Sequence, residues 1–236
     1  NSFYSCSNLS EVSLPDSLET IGSEAFRYCT NLTKADLPKG ITRIYDYAFH
    51  GTGITTAVIP ASLCNSSQNS ALYGYSLKEV TIEEGGEIIP SNMFSGCTRL
   101  TEVEIPEGIT TIGSNAFSGC TSLADVTLPS TLTLINDYAF SGCTSLADVQ
   151  LPGALTTLGN RVFQNCSGLK KINIPKSTGC YYNAYPFSGS GLEEIEFEEG
   201  KTAIPGGMFG YCSNLTAVEI PETVTSIGSN AFYSCS

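Results

Sequence analysis

The residue types that most often perform catalysis are sparse in this chain of 236 residues. It contains one histidine, His50, so a Ser-His-Asp or Cys-His set could be built only around that single position. Two carboxylate pairs, Glu83-Glu84 and Glu198-Glu199, come before glycines. Adjacent residues of a strand point to opposite faces, so neither pair could act as an acid and base on one substrate. The sequence therefore predicts that the protein is not an enzyme, and we expect no cofactor.

The ten cysteines could instead form disulfides or bind a metal. No two are closer than 14 residues and no C-x-x-C motif is present, so we predict no metal site. Eight of them share one position of the repeat described below: Cys6, Cys29, Cys97, Cys120, Cys143, Cys166, Cys212 and Cys235. Stacked equivalents would keep their Cβ atoms about 4.8 Å apart, whereas a disulfide needs about 3.8 Å. We therefore predict a buried ladder of free thiols. Cys64 and Cys180 lie off this ladder, and the sequence leaves open whether they are free or paired.

Composition excludes several kinds of partner. The chain carries 11 basic and 23 acidic residues, a net charge of −12. Nucleic acid and anionic lipid both attract cationic surfaces, so we expect neither as a partner. No apolar run approaches the roughly 20 residues that span a bilayer, so no direct membrane insertion is expected. Residues 1–7 closely match residues 230–236, which favours a fragment of a longer repetitive protein.

The chain is built from one repeated unit. Its anchor positions are Pro15, Pro38, Pro60, Glu83, Pro106, Pro129, Pro152, Pro175, Glu198 and Pro221. They are spaced by 23 residues at every step except one, which is 22. The unit reads L-x-x-V-x-(L/I)-P-x-x-(L/I)-x-x-I-G-x-x-A-F-x-x-C. One such unit cannot bury its own apolar side, so residues 1–236 are expected to form a single repeat solenoid of about ten stacked units.

The unit contains signals for its local structure. Apolar residues alternate in Val126-Thr127-Leu128, which is typical of a short strand with one buried face, and Pro129 would end that strand. The segment 114–120 is expected to form a short helix or helical turn, because Ser114 stands where a side-chain oxygen can cap free N–H groups. The predicted fold class is an α/β solenoid. It has a parallel strand face and short helices or turns opposite.

Leu128-Pro129 through Cys143 and Ile105-Pro106 through Cys120 closely resemble the BspA-like leucine-rich repeats, a class of 23-residue repeats. The resemblance covers essentially the whole chain. It implies a right-handed, curved leucine-rich-repeat superhelix from a bacterial, or sometimes protist-parasite, surface protein. Members of this family are associated with attachment to host matrix proteins and cells.

The outward residues of the predicted strands form the main candidate binding surface. Four acids, Glu79, Glu102, Asp125 and Asp148, recur at one position in neighbouring units. Like charges about 5 Å apart repel by only about 0.8 kcal/mol in water, so the column could equally be an ordinary solvated face. The candidate ligand-binding residues on the concave face are Glu79, Glu102, Glu104, Asp125, Asp148, Lys171 and Glu194.

Two irregular units supply a second set of candidates. Residues 60–83 and 175–198 lose the regular pattern, and they lie five units apart. Their tyrosines are Tyr73, Tyr75, Tyr181, Tyr182 and Tyr185. Exposed tyrosine is favoured at interfaces. The alternative is that these rings fill space left by the missing Phe and Ile side chains.

Two functions remain open from the sequence. The first is a cell-surface or secreted module that binds a protein or glycoprotein ligand and serves adhesion to host proteins or cells. The second is a structural spacer with no ligand of its own. The tyrosines and the acidic column favour the first, while the identity of any partner is not encoded in a repeat.

Overall fold

In the computed structural model, which describes residues 1–65 and 76–235, the chain forms a parallel β-solenoid of about nine turns. Each turn, here called a coil, stacks on the one before it at the spacing of the repeat. Asp125, for example, lies in register with Glu102, and Leu134 with Thr111. Every strand pair is parallel, so the predicted solenoid is confirmed.

The predicted strands form one side of each coil, which we call the strand face. Its strands are Glu11–Val12, Lys34–Ala35, Thr56–Ile59, Glu79–Ile82, Glu102–Glu104, Asp125–Thr127, Lys171–Ile174 and Glu194–Phe197. On this face residues 217–220 form no strand, and neither does the coil of Asp148. There the Asn173 side chain accepts from the Leu151 amide at 3.0 Å and donates to the Leu151 carbonyl at 3.3 Å. The Asn173 side chain thus takes up the Leu151 amide and carbonyl, which would otherwise pair with the backbone of a neighbouring strand and extend the ladder.

A second ladder of two-residue strands follows the strand face in nine of the coils, within residues 1–65 and 76–235. Its strands are Thr20–Ile21, Arg43–Ile44, Ile88–Ile89, Thr111–Ile112, Leu134–Ile135, Thr157–Leu158, Gly179–Cys180, Ala203–Ile204 and Ser226–Ile227. In the central coils the second residue of the pair, such as Ile112 or Ile135, is fully buried. This ladder was not predicted, because two residues are too few to show an alternating pattern.

Of the two alternatives predicted for the side opposite the strands, short helices were wrong, and the structure has turns. The third side of each coil, which we call the turn wall, consists of turns such as residues 113–123. Asn115 and Gly119 have φ angles of 56° and 74°, and a left-handed residue on either side of Phe117 interrupts any α-helix. The one helix among the described residues is the 3-10 turn Leu63–Asn65. The fold is therefore a β-solenoid and not an α/β one.

Hydrogen bonds of two kinds alternate along the turn wall. The Asn115 and Phe117 amides donate to carbonyls of the next coil at 2.9 and 2.7 Å. The Ala116 and Ser118 amides instead donate three residues back within their own coil, at 3.2 and 3.1 Å. Every second peptide therefore joins two coils. This pattern satisfies buried backbone groups without a helix.

The core contains a stack of phenylalanine rings, which come from the A-F position of the repeat. Phe117 is fully buried and stacks on Phe94 and Phe140 with ring centroids 5.1 and 5.2 Å apart. The stack continues to Phe209, where Phe232 closes it as a half-buried ring. One continuous core cluster runs through the coils.

Candidate binding surfaces

The four acids of the predicted column lie exposed on the strand face. Glu79, Glu102 and Asp125, together with Glu104, line one shallow groove of about 300 Å³. Asp125 and Asp148 line the next groove, of about 220 Å³. The four carboxylates therefore follow one another across neighbouring coils, which we call the acidic column.

The acidic column has no cationic partner in the part of the chain that the structure describes. No Lys or Arg of residues 1–65 or 76–235 forms an ion pair with any of its four carboxylates. Asp148 accepts a hydrogen bond from Gln150 at 2.8 Å, and this partner is neutral. Lys78 and Arg99 line a groove together with Glu79 but form no ion pair with it. The negative charge of the other three carboxylates is therefore left to solvent or to a ligand.

The lysines on either side of the column are already paired. Lys34 lies 3.1 Å from Asp36 and 4.0 Å from Glu11. Lys171 lies 3.3 Å from Glu194 and 2.6 Å from Glu196. Hydrogen bonds to Glu196 and Glu194 raise the pKa of the Lys171 ammonium above its usual value.

These ion pairs divide the predicted strand-face site into two parts. Lys171 and Glu194 face each other in register, so they neutralise one another on the strand face. Of the seven predicted strand-face residues, Glu79, Glu102, Glu104, Asp125 and Asp148 form the charged surface. Lys171 and Glu194 mark its boundary.

The predicted tyrosines divide into two groups. Tyr181 and Tyr182 are exposed, at 45% and 77%, whereas Tyr185 is half-buried and packs edge-on against Tyr211 with ring centroids 5.3 Å apart. Tyr73 and Tyr75 lie outside the described residues. Tyr211 itself was missed by sequence reasoning, because it belongs to a regular coil and becomes a neighbour of Tyr185 only when the coils stack.

Lys201 is a second feature that the sequence did not single out. It replaces the buried Leu or Ile of the repeat and is itself buried. Its ammonium donates to the carbonyl of Thr178 at 2.8 Å and to those of Pro175 and Lys176 at 3.3 Å each. Burial lowers the pKa of this ammonium below its usual value, an effect that Cys180 and Glu198 oppose. The three carbonyls therefore explain how a lysine can be buried at this position. Lys201 lies away from the acidic column.

The cysteines and acids do not converge on a metal site. Among the described residues, no three or more His, Cys, Asp or Glu side chains come together as a group that could hold an ion. All ten cysteines are free thiols. In the same part of the chain, the structure contains no helix with the length and hydrophobicity needed to cross a membrane.

Comparison with known families identifies the repeat. A family model described as a BspA type leucine rich repeat region matches in six copies, within residues 1–82, 65–184 and 156–236. A search of curated proteins found no match.

Several solved bacterial structures are similar. A leucine-rich repeat protein from Bacteroides ovatus has 29% identity and a TM-score of 0.77, covering 99% of this chain and 60% of that one. A leucine-rich repeat protein from T. pallidum has 28% identity and a TM-score of 0.56, covering 73% of this chain and 72% of that one. A leucine rich cell surface protein from Faecalibacterium prausnitzii has 24% identity and a TM-score of 0.50, covering 84% and 62%. The chain thus spans only about 60% of the length of the Bacteroides ovatus protein.

Proposed function

The chain belongs to the BspA-type leucine-rich-repeat family, and we propose that it is a protein-binding module of a cell-surface or secreted bacterial protein that serves adhesion. The ligand is a protein or glycoprotein with a basic surface. One structural neighbour carries the name of a cell surface protein, which supports this location. Repeat families of this kind present extended surfaces to partners and generally lack catalytic groups, in keeping with a non-enzymatic role.

The observation that carries the proposal is the uncompensated charge of the acidic column. Four carboxylates at one position of neighbouring coils repel one another, while Lys34 and Lys171 are both engaged elsewhere. A row of this length produces a field that attracts a basic partner and raises its association rate. A spacer without a ligand needs no such uniform row of one sign.

The test reverses the charge of the column in the intact protein. Fibronectin, laminin and collagen are immobilised, and binding of the wild type and of the double variant Glu102→Lys/Asp125→Lys is followed by surface plasmon resonance at low and moderate salt. We expect the variant to associate at least about tenfold more slowly at low salt, because solvated charges act mainly on the on-rate. Its association should also depend less on salt.

A matched control carries the same change of charge away from the strand face. Asp16 and Glu19 are exposed and lie between the strand face and the second ladder of the first coil. Asp16→Lys/Glu19→Lys should bind with nearly the wild-type association rate. Equal slowing by both double variants would show that only net charge matters and would remove the acidic column from the proposal. A wild type that binds none of the three proteins would favour the spacer.

A further inference from the structure

In the last three coils, the charged residues and the exposed tyrosines lie on different sides of the solenoid. Residues 179–192, 202–218 and 223–236 contain no Asp, Glu, Lys, Arg or His. Of the nine ionisable Lys and Glu residues between 176 and 236, eight lie in the two segments between these stretches and Lys176 lies just before the first. All nine are on the strand face or in the turn that follows it. In a protein with a net charge of −12, this leaves the turn wall of these coils uncharged.

Tyrosines occupy that uncharged wall. Tyr182 is 77% exposed and Tyr211 42% exposed, although Tyr211 lies between two other rings. Those rings are Tyr185 and Tyr233, each edge-on to Tyr211 with centroids 5.3 Å apart. We call Tyr181, Tyr182, Tyr185 and Tyr211, with Asn183, the tyrosine surface. The corresponding positions of the central coils carry mainly Ser, Gly and Asn.

Two glycines in the middle one of these three coils, Gly207 and Gly210, allow the tyrosine surface to pack closely on that coil. A Cβ on Gly210 would lie 2.5 Å from the ring of Tyr185, and one on Gly207 would lie 2.9 Å from the Cα of Asn183. The absence of side chains therefore lets the Tyr185 ring lie directly on the next coil. A ring that is fixed by its neighbours loses little conformational entropy when a ligand binds.

Two asparagine side chains approach each other over the Gly207 coil. The side chains of Asn183 and Asn230 belong to coils on either side of the Gly207 coil, and they approach each other to 3.5 Å across it. Their amides can both donate and accept hydrogen bonds. Aromatic rings, amides and phenolic hydroxyls therefore lie together on a surface that has no formal charge.

We infer that the tyrosine surface binds a neutral carbohydrate. The C–H bonds on one face of a sugar ring carry slight positive charge and pack on the negative face of an aromatic ring. Sugar hydroxyls are both donors and acceptors, as are the Asn amides and Tyr hydroxyls of this surface. An anionic glycan would meet Arg161 of the preceding coil at the edge of this surface, but it would be repelled by the acidic protein as a whole.

A proline-rich peptide is the competing occupant, because such peptides also bind tyrosine-lined grooves. The Asn183 oxygen already accepts from the Asn230 amide at 3.5 Å. A proline-rich peptide offers backbone carbonyl acceptors but few donors, so it could not use the remaining acceptors of this surface, which include the Tyr hydroxyls and the Asn230 oxygen. The mixed donors and acceptors of the tyrosine surface therefore favour a sugar. The tyrosine surface lies on the turn wall, away from the acidic column, so this inference does not depend on the proposed function.

The experiment measures binding of cellohexaose, mannohexaose, xylohexaose and chitohexaose to the intact protein by isothermal titration calorimetry. A heparin hexasaccharide and a decaproline peptide are titrated in parallel. We expect at least one of the four neutral sugars to bind, and both comparison ligands to fail. Tyr182→Ala and Tyr211→Ala should each weaken binding about tenfold, the effect expected from losing one aromatic contact.

Tyr138→Ala provides the matched control, since Tyr138 occupies the same repeat position as Tyr185 in a central coil and should leave sugar binding unchanged. Circular dichroism of each variant separates lost binding from lost folding, and Asn183→Ala tests the amide contact without removing a ring. Failure of all four neutral sugars, binding of decaproline instead, or equal loss in the Tyr138 variant would each overturn the inference.

Discussion

The thiol of Cys120 donates a hydrogen bond to the main-chain carbonyl of Phe94, in the preceding coil, at 3.1 Å. The same carbonyl accepts the Cys97 amide at 3.1 Å, so it is satisfied from two coils. Cys143 and Phe117 repeat the arrangement at 3.2 Å. The ladder cysteines are therefore small buried donors as well as small apolar side chains, which explains why alanine would be a poorer occupant.

Burial of these thiols predicts loss of stability at alkaline pH. Burial raises the pKa of Cys120, Cys166 and Cys212 to about 12 from an ordinary value of 9.0. Between these values the folded chain retains the protons that the unfolded chain releases, so the free energy of unfolding falls as pH rises from 9.0 towards 12. The limiting slope is about 1.4 kcal/mol per pH unit for each such thiol. Urea titrations at about pH 8, 9 and 10 should show the fall.

Cys120→Ala is the control for that slope. Its lost hydrogen bond and small cavity should cost about 1–2 kcal/mol at neutral pH. Above pH 9.0 its stability should fall less steeply than that of the wild type, by the contribution of one thiol. Parallel curves for the two proteins would show that the buried thiols do not cause the alkaline loss.

Phe117 is expected to be the most sensitive type of core position. Its ring is fully buried between Phe94 and Phe140, so Phe117→Ala leaves a cavity that two rigid neighbours cannot fill. We expect a loss of about 3–5 kcal/mol in the free energy of unfolding, measured by urea denaturation. Tyr182→Ala serves as the exposed comparison and should change stability by less than about 0.5 kcal/mol. A loss below about 1 kcal/mol for Phe117→Ala would contradict its place in the core.

Lys201 should produce the opposite pH dependence to the cysteines. Burial lowers the pKa of its ammonium, so between the folded value and the ordinary 10.5 the unfolded chain binds more protons than the folded chain. Stability from this group therefore rises with pH across that window. The difference in unfolding free energy between wild type and Lys201→Met should shift in favour of the wild type as pH approaches 10.5. Both proteins are compared in a Cys180→Ala background, because the Lys201 ammonium opposes the rise that burial causes in the pKa of the Cys180 thiol. The other thiol contributions then cancel, and a pH-independent difference would contradict the assignment.

Much of the fold could be predicted because the same pattern of apolar, Phe and Cys residues recurs in most units. The strand at Val126, the buried Phe117 and the free Cys120 each recur in most coils, so an error at one position is corrected by the others. The second ladder could not be predicted, since its strands are two residues long and Thr111–Ile112 has no alternation to recognise. The charged strand face followed from the strand prediction, but the pairing of Lys171 with Glu196 depends on side-chain geometry.

The tyrosine surface was only partly predictable for a different reason. Tyr181, Tyr182 and Tyr185 attract attention because their coil is irregular. Tyr211 and Asn230 sit in regular coils, and only stacking brings them together with the other residues. The lack of charge in residues 179–192 and 202–218 was the sequence signal that could have pointed to this surface.

The turn wall explains why the helix prediction failed, and it yields the last prediction. Arg161 occupies the left-handed position that Asn115 fills in another coil, with a φ of 51°. A side chain other than Gly or Asn is strained there by about 1–2 kcal/mol, whereas glycine adopts this conformation freely. The Arg161 side chain is exposed, and its amide donates to the Ala184 carbonyl at 2.9 Å, a bond that glycine would keep.

Arg161→Gly should therefore stabilise the protein by about 0.5–1 kcal/mol, even though it introduces a flexible residue. Gln164→Gly is the matched control in the same coil, because Gln164 does not have a positive φ and its amide closes a turn to the Arg161 carbonyl at 3.1 Å. There glycine only adds entropy to the unfolded chain and should destabilise by about 0.5–1 kcal/mol. Urea denaturation shows for each variant whether the free energy of unfolding rises or falls relative to the wild type. If Arg161→Gly destabilises as much as Gln164→Gly, the left-handed position carries no strain, and the absence of helix in the turn wall would need another cause.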